Sequence, residues 1–440
     1  MNILLISYNW LPNNNVGVKR AVKFAKYLER AGHNIYVITA EKNAESIDGY
    51  ANIKVFSIPC ISSLEIVKNI INIFRKSNSN SHNEKKTKTS ISNRKIKKNS
   101  ILKELLFFPD IYFPWYFKIK NILFDILRYY KIEMVIATSP PITTHFIANM
   151  IKRKTNIPVI LDIRDPWAFY PWEKTGYFFF IIRAVRFIFE YILIKNSKAI
   201  SIVSYYWNNW YRNTFSFSYI CTIFNCFYSN FKNTDNKSLV NNTKKLTLIY
   251  TGKVHNYKQN PINLFIALSE LINEGKIDKD RIFVKFFTYG YYSADIISLA
   301  KKYKLNDIIK NFGMISYNKV LEEISDSDVC IMFGWNDKDD LIGKGAMPVK
   351  FYDYLMFRKP ILLINADRQS ELYNILKKTG LGYIAFEKDD LKKAILQIYN
   401  KFIKGEELVA NSNDFFIEKF SCDYQISYKL NKIINKLIKK

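Results

Sequence analysis

"LTLIYTGKVHNYKQNP" (Leu246–Pro261) decides the fold. Its first residues form a short apolar run suited to a buried parallel strand. Gly252 ends the run at a point where backbone can approach a ligand closely. Lys253 and Lys258 flank a loop, and a helical pattern follows over 261–274. The same unit then repeats. Strand "IFVKFFTYG" ends at Gly290, and a helix spans 293–304. A strand near 308–312, a helix over 317–326, strand "VCIMFG", a helix over 348–357, strand "PILLI" and a helix over 370–379 complete the series.

Upstream, a first series has the same rhythm. "NILLIS" reads as a strand, and Val18, Ala21, Val22, Ala25 and Leu28 recur at helical spacing before Gly32, a natural stop. "NIYVITA" and "KVFSIP" are strands. A helix follows around 117–130, then strand "EMVIATSPP", helix "ITTHFIANMIKRK" and strand "PVILDIRDPW". A long helix reaching about Lys195 and strand "AISIVS" close the series. Two successive βα series predict an α/β protein of two doubly wound, Rossmann-like domains facing each other across a cleft. Ligands then bind at the carboxyl ends of the strands.

The expected boundaries are 1–228 for the first domain, 229–245 for a polar, Asn-rich linker and 246–412 for the second domain. A C-terminal amphipathic helix over 413–440 is expected to pack back on the first domain. Residues 75–100, polar, basic and almost without aromatics, read as a disordered insertion.

The chain has 440 residues, 48% of them hydrophobic, enough for two cores and too apolar for a disordered chain. A net charge of +27 calls for an acidic partner: nucleic acid, an anionic membrane surface or a phosphorylated ligand. Nucleic-acid binding predicts basic residues interleaved with stacking aromatics along one groove. Here they are spread out or concentrated in 75–100, so no nucleic-acid partner is expected. The block Tyr177–Ile194 is interrupted by Arg183, Arg186 and Glu190 and does not read as a membrane span. Five scattered cysteines give no metal-site spacing and fit a reduced, cytosolic setting. The N-terminus lacks the basic region of a signal peptide.

Several strand ends carry chemistry. Lys253 and Lys258, beside a helix start, suit a diphosphate, and they are also ordinary surface lysines in a Lys-rich chain. In "GKGAMPVKFYDYL", Gly343 and Gly345 allow an anion-binding nest, Pro348 fits the first helical position, and Asp353 lies beyond the first turn. Two roles are open to Asp353: accepting the vicinal hydroxyls of a ribose, or pairing with Lys350 at i,i+3. Ser139 ends a strand in "TSPPITTH", and His145 lies in the next helix, a position more often used for packing. Asp162, Arg164 and Asp165 end the next strand and either neutralise one another or face a ligand. In "VGVKR", Gly17 admits a close backbone approach and Arg20 can reach a phosphate. There is no GxGxxG fingerprint, Walker A motif, HExxH or GxSxG.

The set "FFPDIYFPW", "SPPITTH", "DIRDPW", "TGKVHNYKQNP" and "PVKFYDYLMFRKPIL", in this order, resembles the retaining GT-B glycosyltransferases of family 4, in the branch that builds bacterial surface polysaccharides, capsule or O-antigen. The resemblance covers nearly the whole chain outside 75–100. It implies sugar transfer from a UDP- or GDP-sugar with retention, no metal and no other cofactor. The acceptor it implies is a polyprenyl-diphosphate-linked sugar or an oligosaccharide. Lys253 and Lys258 match the lysines that grip the donor diphosphate, and Asp353 matches the second glutamate of E-x7-E, the ribose contact. Gly313, Met314 and Ile315 match the stretch against the base. Gly252, Gly290, Met347, Pro348 and Lys350 fall on the donor side, as do Gly17 and Arg20. Asp165 stands as a catalytic candidate, and Ser139, His145 and Arg164 as acceptor-side ones. The first glutamate of E-x7-E falls at Gly345, the family's active-site histidine near Ser139, and the glycine after Asn225 is Cys226. These departures also fit a catalytically inert partner subunit of the same fold. The expected location is cytoplasmic, peripheral on the inner face of the plasma membrane. "IYFPWYFKIK", 75–100 and the 178–194 helix are candidates for lipid contact.

Overall fold

A computed structural model describes residues 1–13, 15–78, 107–169, 177–217, 219–228, 245–254, 259, 261–288, 293–335 and 341–438. The chain divides into two compact units. One comprises Met1–Val203, Trp207–Ile223 and Ile426–Lys440, the other Ser204–Tyr206 and Phe224–Gln425.

The first unit is built on a seven-stranded parallel sheet in the order β3-β2-β1-β4-β5-β6-β7. Its strands are β1 (Asn2–Ile6), β2 (Asn34–Thr39), β3 (Ile53–Ser57), β4 (Met134–Ser139), β5 (Val159–Ile163), β6 (Ala199–Ile202) and β7 (Ile220–Thr222). Helices α1 (Val16–Arg30), α2 (Ser63–Asn78), α3 (Pro114–Tyr129), α4 (Thr143–Lys154), α5 (Tyr177–Asn196) and α6 (Tyr205–Phe215) connect them. The central strands β4 and β5 are buried at every residue, as a sheet covered on both faces requires. This explains why these strands read as continuous apolar runs rather than alternating ones.

The second unit repeats the scheme with six parallel strands in the order β10-β9-β8-β11-β12-β13. They are β8 (Leu246–Thr251), β9 (Ile282–Phe287), β10 (Ile309–Asn311), β11 (Val329–Phe333), β12 (Ile361–Ile364) and β13 (Gly382–Ala385). Helices α7 (Ile262–Asn273), α8 (Ser293–Lys302), α9 (Tyr317–Asp326), α10 (Leu341–Gly345), α11 (Val349–Met356), α12 (Glu371–Thr379), α13 (Lys388–Lys404) and α14 (Asp414–Glu418) complete it. Both units are therefore Rossmann-like, as the two βα series predict.

The differences lie at the joints. The expected linker, 229–245, lies outside the described residues except for Lys245. The chain leaves the first unit earlier, at Ile223, and returns to it at Ile426. The two crossings are tied together inside the second unit. Phe227 bridges Ser421, its N–H donates to the Phe420 carbonyl at 3.1 Å, and Cys226 is disulfide-bonded to Cys422. The disulfide departs from the expected reduced set, because partners 196 residues apart meet only after folding. The C-terminal segment is not one helix. After α14 come a π-helical stretch over Asp423–Leu430 and α15 (Asn431–Ile438). Only its later part joins the first unit, where the Ser427 hydroxyl donates to the Tyr27 carbonyl at 3.1 Å. Helix α2 runs to Asn78, so 75–78 of the expected disordered insertion is helical, and 79–100 lies outside the described residues.

Candidate functional site

In the first unit, Asp162 organises the carboxyl end of the sheet. It is fully buried on β5. The Arg20 guanidinium from α1 pairs with it bidentately, Nε at 2.8 Å and Nη2 at 2.7 Å, and Nη2 also donates to the Ile223 carbonyl at 2.9 Å. The hydroxyls of Thr138 and Ser201 donate to the same carboxylate at 2.8 and 2.5 Å. Burial alone pushes the Asp162 carboxyl up. The Arg20 charge and these donors outweigh it and hold the group below the usual carboxylate range. Arg20 is thus committed to a buried pair and is not presented to a phosphate, a correction to its expected donor role.

Arg164 is equally engaged. Its Nε donates to the Ser139 carbonyl at 2.8 Å and Nη2 to the Pro140 carbonyl at 2.7 Å, fixing the β4 turn. Gly17 makes room for it: a Cβ there would lie 2.6 Å from Arg164 Nη1. The glycine serves a side chain of this protein, not the expected ligand. His145 on α4 is 2% exposed with Nε2 3.2 Å from the Asp162 carbonyl, and burial pushes its pKa down to about 4. It is a neutral packing residue rather than an acceptor contact. Ser139 is buried as well. Asp110, from the "FFPDIYFPW" motif, accepts from the Thr143 N–H at 2.9 Å and hydroxyl at 2.7 Å, fixing the start of α4.

Asp165 differs from these residues. It is half-buried, burial raises its pKa, and the adjacent Arg164 charge opposes the rise. Among the described residues its carboxylate has no hydrogen-bond or ion-pair partner, so it is open to a substrate hydroxyl. The turn that follows it, Trp167–Phe169, is held by Glu190 of α5. Glu190 accepts from the Ala168 N–H at 3.0 Å, the Trp167 N–H at 3.4 Å and the Tyr211 hydroxyl at 2.6 Å. Burial, only partly offset by these donors, raises the Glu190 carboxyl to about 7. The sequence reading used Glu190 only to interrupt an apolar block. The signal for more was a lone acid within "FIFEYILI".

In the second unit, the ends of β8 and β10 and the start of α11 carry the polar groups. Gly252 closes β8 at φ 95°, a conformation that favours glycine, and donates to the Phe287 carbonyl at 2.9 Å. Lys253 follows and is exposed. The Tyr250 hydroxyl donates to the Lys253 carbonyl at 2.9 Å. Lys350, in the first turn of α11, lays its ammonium over the same Tyr250 ring, 3.7 Å from the centroid. Its Cε and Nζ would lie 3.5 Å from a Cβ on Gly252. Among the described residues no ion pair joins Lys350 to Asp353, and no carboxylate pairs with Lys350. A cation–π contact is worth ~0.5–2 kcal/mol. Desolvating an unpaired ammonium costs several kcal/mol. Burial therefore wins and pushes the Lys350 pKa down to about 7.

Pro348 is the N-cap of α11, not its first residue, and offers no side-chain cap. The first amides of the helix, on Val349 and Lys350, have no acceptor among the described residues. A positive helix end and a lysine amine thus converge beside Gly252 and Lys253. Asp353 is 6% exposed and accepts from the Tyr317 hydroxyl of α9 at 2.8 Å. At the end of β10, Phe312 stacks on Phe287 at 5.2 Å and 22°, and is 49% exposed. Gly313 follows at φ 75° and Met314 is 75% exposed, so an open apolar shelf stands there, while Ile315 packs on the core.

The glycine-rich turn differs from the expected nest. It is the short helix α10, ending at Gly345, and Gly343 is needed because a side chain there would meet the Trp335 ring. Met347 is a core residue, 6% exposed, and not a donor contact. Lys258 and Gly290 lie outside the described residues. Among the described residues no group of acids, histidines or cysteines is arranged to hold a metal.

No protein-family model matches this sequence, and no curated protein does. Solved structures do match the fold over the full chain. The sucrose-phosphate synthase from Thermosynechococcus elongatus aligns at a TM-score of 0.65 and 11% identity, covering 100% of this chain and 99% of that one. A glycosyltransferase from Rickettsia africae aligns at 0.59 and 13%, covering 100% and 99%. The lipopolysaccharide outer core galactosyltransferase WaaB aligns at 0.54 and 11%, covering 99% and 100%. The fold is that of the GT-B glycosyltransferases.

Proposed function

We propose that the protein is a retaining glycosyltransferase that moves a sugar from a UDP- or GDP-sugar to a lipid-linked or oligosaccharide acceptor in cell-surface polysaccharide synthesis. The observation that carries this reading is the convergence of Gly252, Lys253 and Lys350 with the uncapped start of α11. Positive charge at that point stabilises the departing nucleotide diphosphate as the glycosidic bond breaks, and no metal is needed for it. Lys258 adds to the grip. Asp353 takes the ribose hydroxyls, and the Phe312–Met314 shelf takes the base. Asp165, with its free carboxylate, orients the acceptor hydroxyl, and the leaving phosphate accepts its proton on the same face of the sugar. The GT-B fold, shared with WaaB, supports this reading.

A lipid-linked acceptor calls for a location at the inner face of the plasma membrane. Helix α5 exposes Phe180, Ile181, Val185, Ile188, Tyr191 and Ile192 along one stripe that ends at Lys195. No helix among the described residues is long and apolar enough to cross a membrane. The stripe lies on lipid, and the +27 charge favours an anionic surface.

A thermal-shift series with UDP, GDP and their sugars tests the reading. Saturating ligand at ~100 Kd adds about 2.7 kcal/mol and raises Tm by several degrees. No shift with any nucleoside diphosphate ends it. Gly345, which offers no carboxylate where the family has one, favours a second reading, an inert partner subunit. Donor hydrolysis by the purified protein separates the two.

A further inference from the structure

We propose that Lys350 takes up a proton when the donor diphosphate binds, so that nucleotide binding is proton-linked. This rests on the reading of the β8–α11 junction as the diphosphate site. The geometry is an amine held over the Tyr250 ring, beside Gly252 and the open amides of α11. Among the described residues no carboxylate pairs with it. On β8, Tyr250 is itself made harder to ionise by burial, and its hydroxyl is spent on the Lys253 carbonyl. On α11, Asp353 takes the Tyr317 hydroxyl, and the Tyr354 hydroxyl lies 3.2 Å from that of Thr251. Lys253, the remaining charged neighbour in sequence, is a cation. Burial is the cause of its lowered pKa.

An empty site therefore holds much of Lys350 as the neutral amine near neutral pH. A diphosphate brings the charge the site lacks. The amine then takes a proton from the buffer and becomes an ammonium paired with phosphate oxygen. No covalent bond changes and no other reactant is needed. An arginine at this position would stay charged with or without nucleotide. A lysine in this environment makes the positive charge conditional on the ligand.

Calorimetric titration of the intact protein with UDP and GDP at pH 8 reads this directly. Each titration is run in buffers of low and high ionisation enthalpy. At that pH the terminal phosphate of the nucleotide, with a pKa of about 6, is already ionised and contributes no proton of its own. The pH is then one unit above the Lys350 value of about 7, so roughly 0.9 proton enters per nucleotide bound. In Lys350→Arg the expected uptake is zero with binding retained. In Lys350→Met uptake is zero and affinity falls about tenfold or more. Nucleotide binding by the wild type without uptake overturns the proposal and leaves the diphosphate site standing. Unchanged uptake in Lys350→Arg assigns the proton elsewhere and overturns it too. If neither nucleotide binds the wild type, the site reading falls, and the proposal with it.

Discussion

Arg20 and Lys350 are two cations set close to strand ends, one in each unit, and they are treated in opposite ways. Arg20 meets a carboxylate bidentately, a backbone carbonyl and the Phe24 ring. Among the described residues Lys350 meets one aromatic ring and no acid. A buried charge whose partners are all built in is part of the architecture. A lysine buried without an acid destabilises its own charged form, which makes sense when the missing anion arrives from outside. The sequence puts both on the donor side and cannot tell them apart. The partner lists can.

The largest effect expected from this contrast is at Arg20. Arg20→Met leaves the Asp162 carboxylate buried with only hydroxyl donors, which costs about 3–5 kcal/mol. Urea denaturation should show it, and Arg20→Met combined with Asp162→Leu should recover much of the loss. Nucleotide affinity of any folded Arg20 variant should be unchanged. An Arg20 variant of normal stability that has lost nucleotide binding would break the comparison and restore Arg20 as a ligand residue.

Glu190 stands between the two cases. It has three donors and, among the described residues, no ion-pair partner, and its folded pKa of about 7 lies above the ordinary glutamate value. The folded state therefore holds the proton more tightly than the unfolded one. The stability this adds is complete below about pH 4.3 and is lost as pH rises through about 7, on the order of 3 kcal/mol in all. Glu190→Gln should flatten that part of the stability–pH curve relative to wild type and leave other groups' contributions in place. Identical curves for the two proteins would show that the donors alone stabilise the carboxylate. Activity should then follow how firmly the Trp167–Phe169 turn holds Asp165.

Much of the fold was legible, because parallel strands buried on both faces are written as unbroken apolar runs. β1, β4, β5, β8 and β12 all stand where such runs predict. The elements that sequence reading missed are of a different kind. β7 is a three-residue strand. β13 begins at Gly382, α6 is interleaved with Asn and Tyr, and α13 begins within "AFEKDD", at Lys388, without a glycine or proline at its start to announce it. The break of 413–440 into three pieces follows from the chain changing units inside it, which periodicity does not record. At the site, residue types were readable and commitments were not. Gly17, Gly343 and Met347 looked like ligand positions and serve Arg164, Trp335 and the core instead. The Tyr250–Lys350 contact joins residues a hundred positions apart, and only the folded β8–α11 junction brings them together.

Lys350 gives the sharpest test of the contrast, because its effect has the opposite sign. Its folded pKa is depressed below that of an unfolded lysine. A depressed base favours folding fully only above its unfolded value, near 10.4, and that contribution is lost as pH falls toward 7. At pH 7.5 without nucleotide, the native amine is thus a burden on the fold, on the order of 4 kcal/mol. Lys350→Met, close in length and free of charge, removes that burden and keeps an apolar contact with the Tyr250 ring. Its Tm should exceed that of wild type in the empty protein. With saturating UDP or GDP the difference should shrink, because the wild type gains the phosphate contact and the variant does not. Arg20→Met should lose stability under both conditions. If Lys350→Met is as destabilising as Arg20→Met in the empty protein, then Lys350 is architectural too, and the distinction between a cation with its partner built in and one awaiting its partner fails.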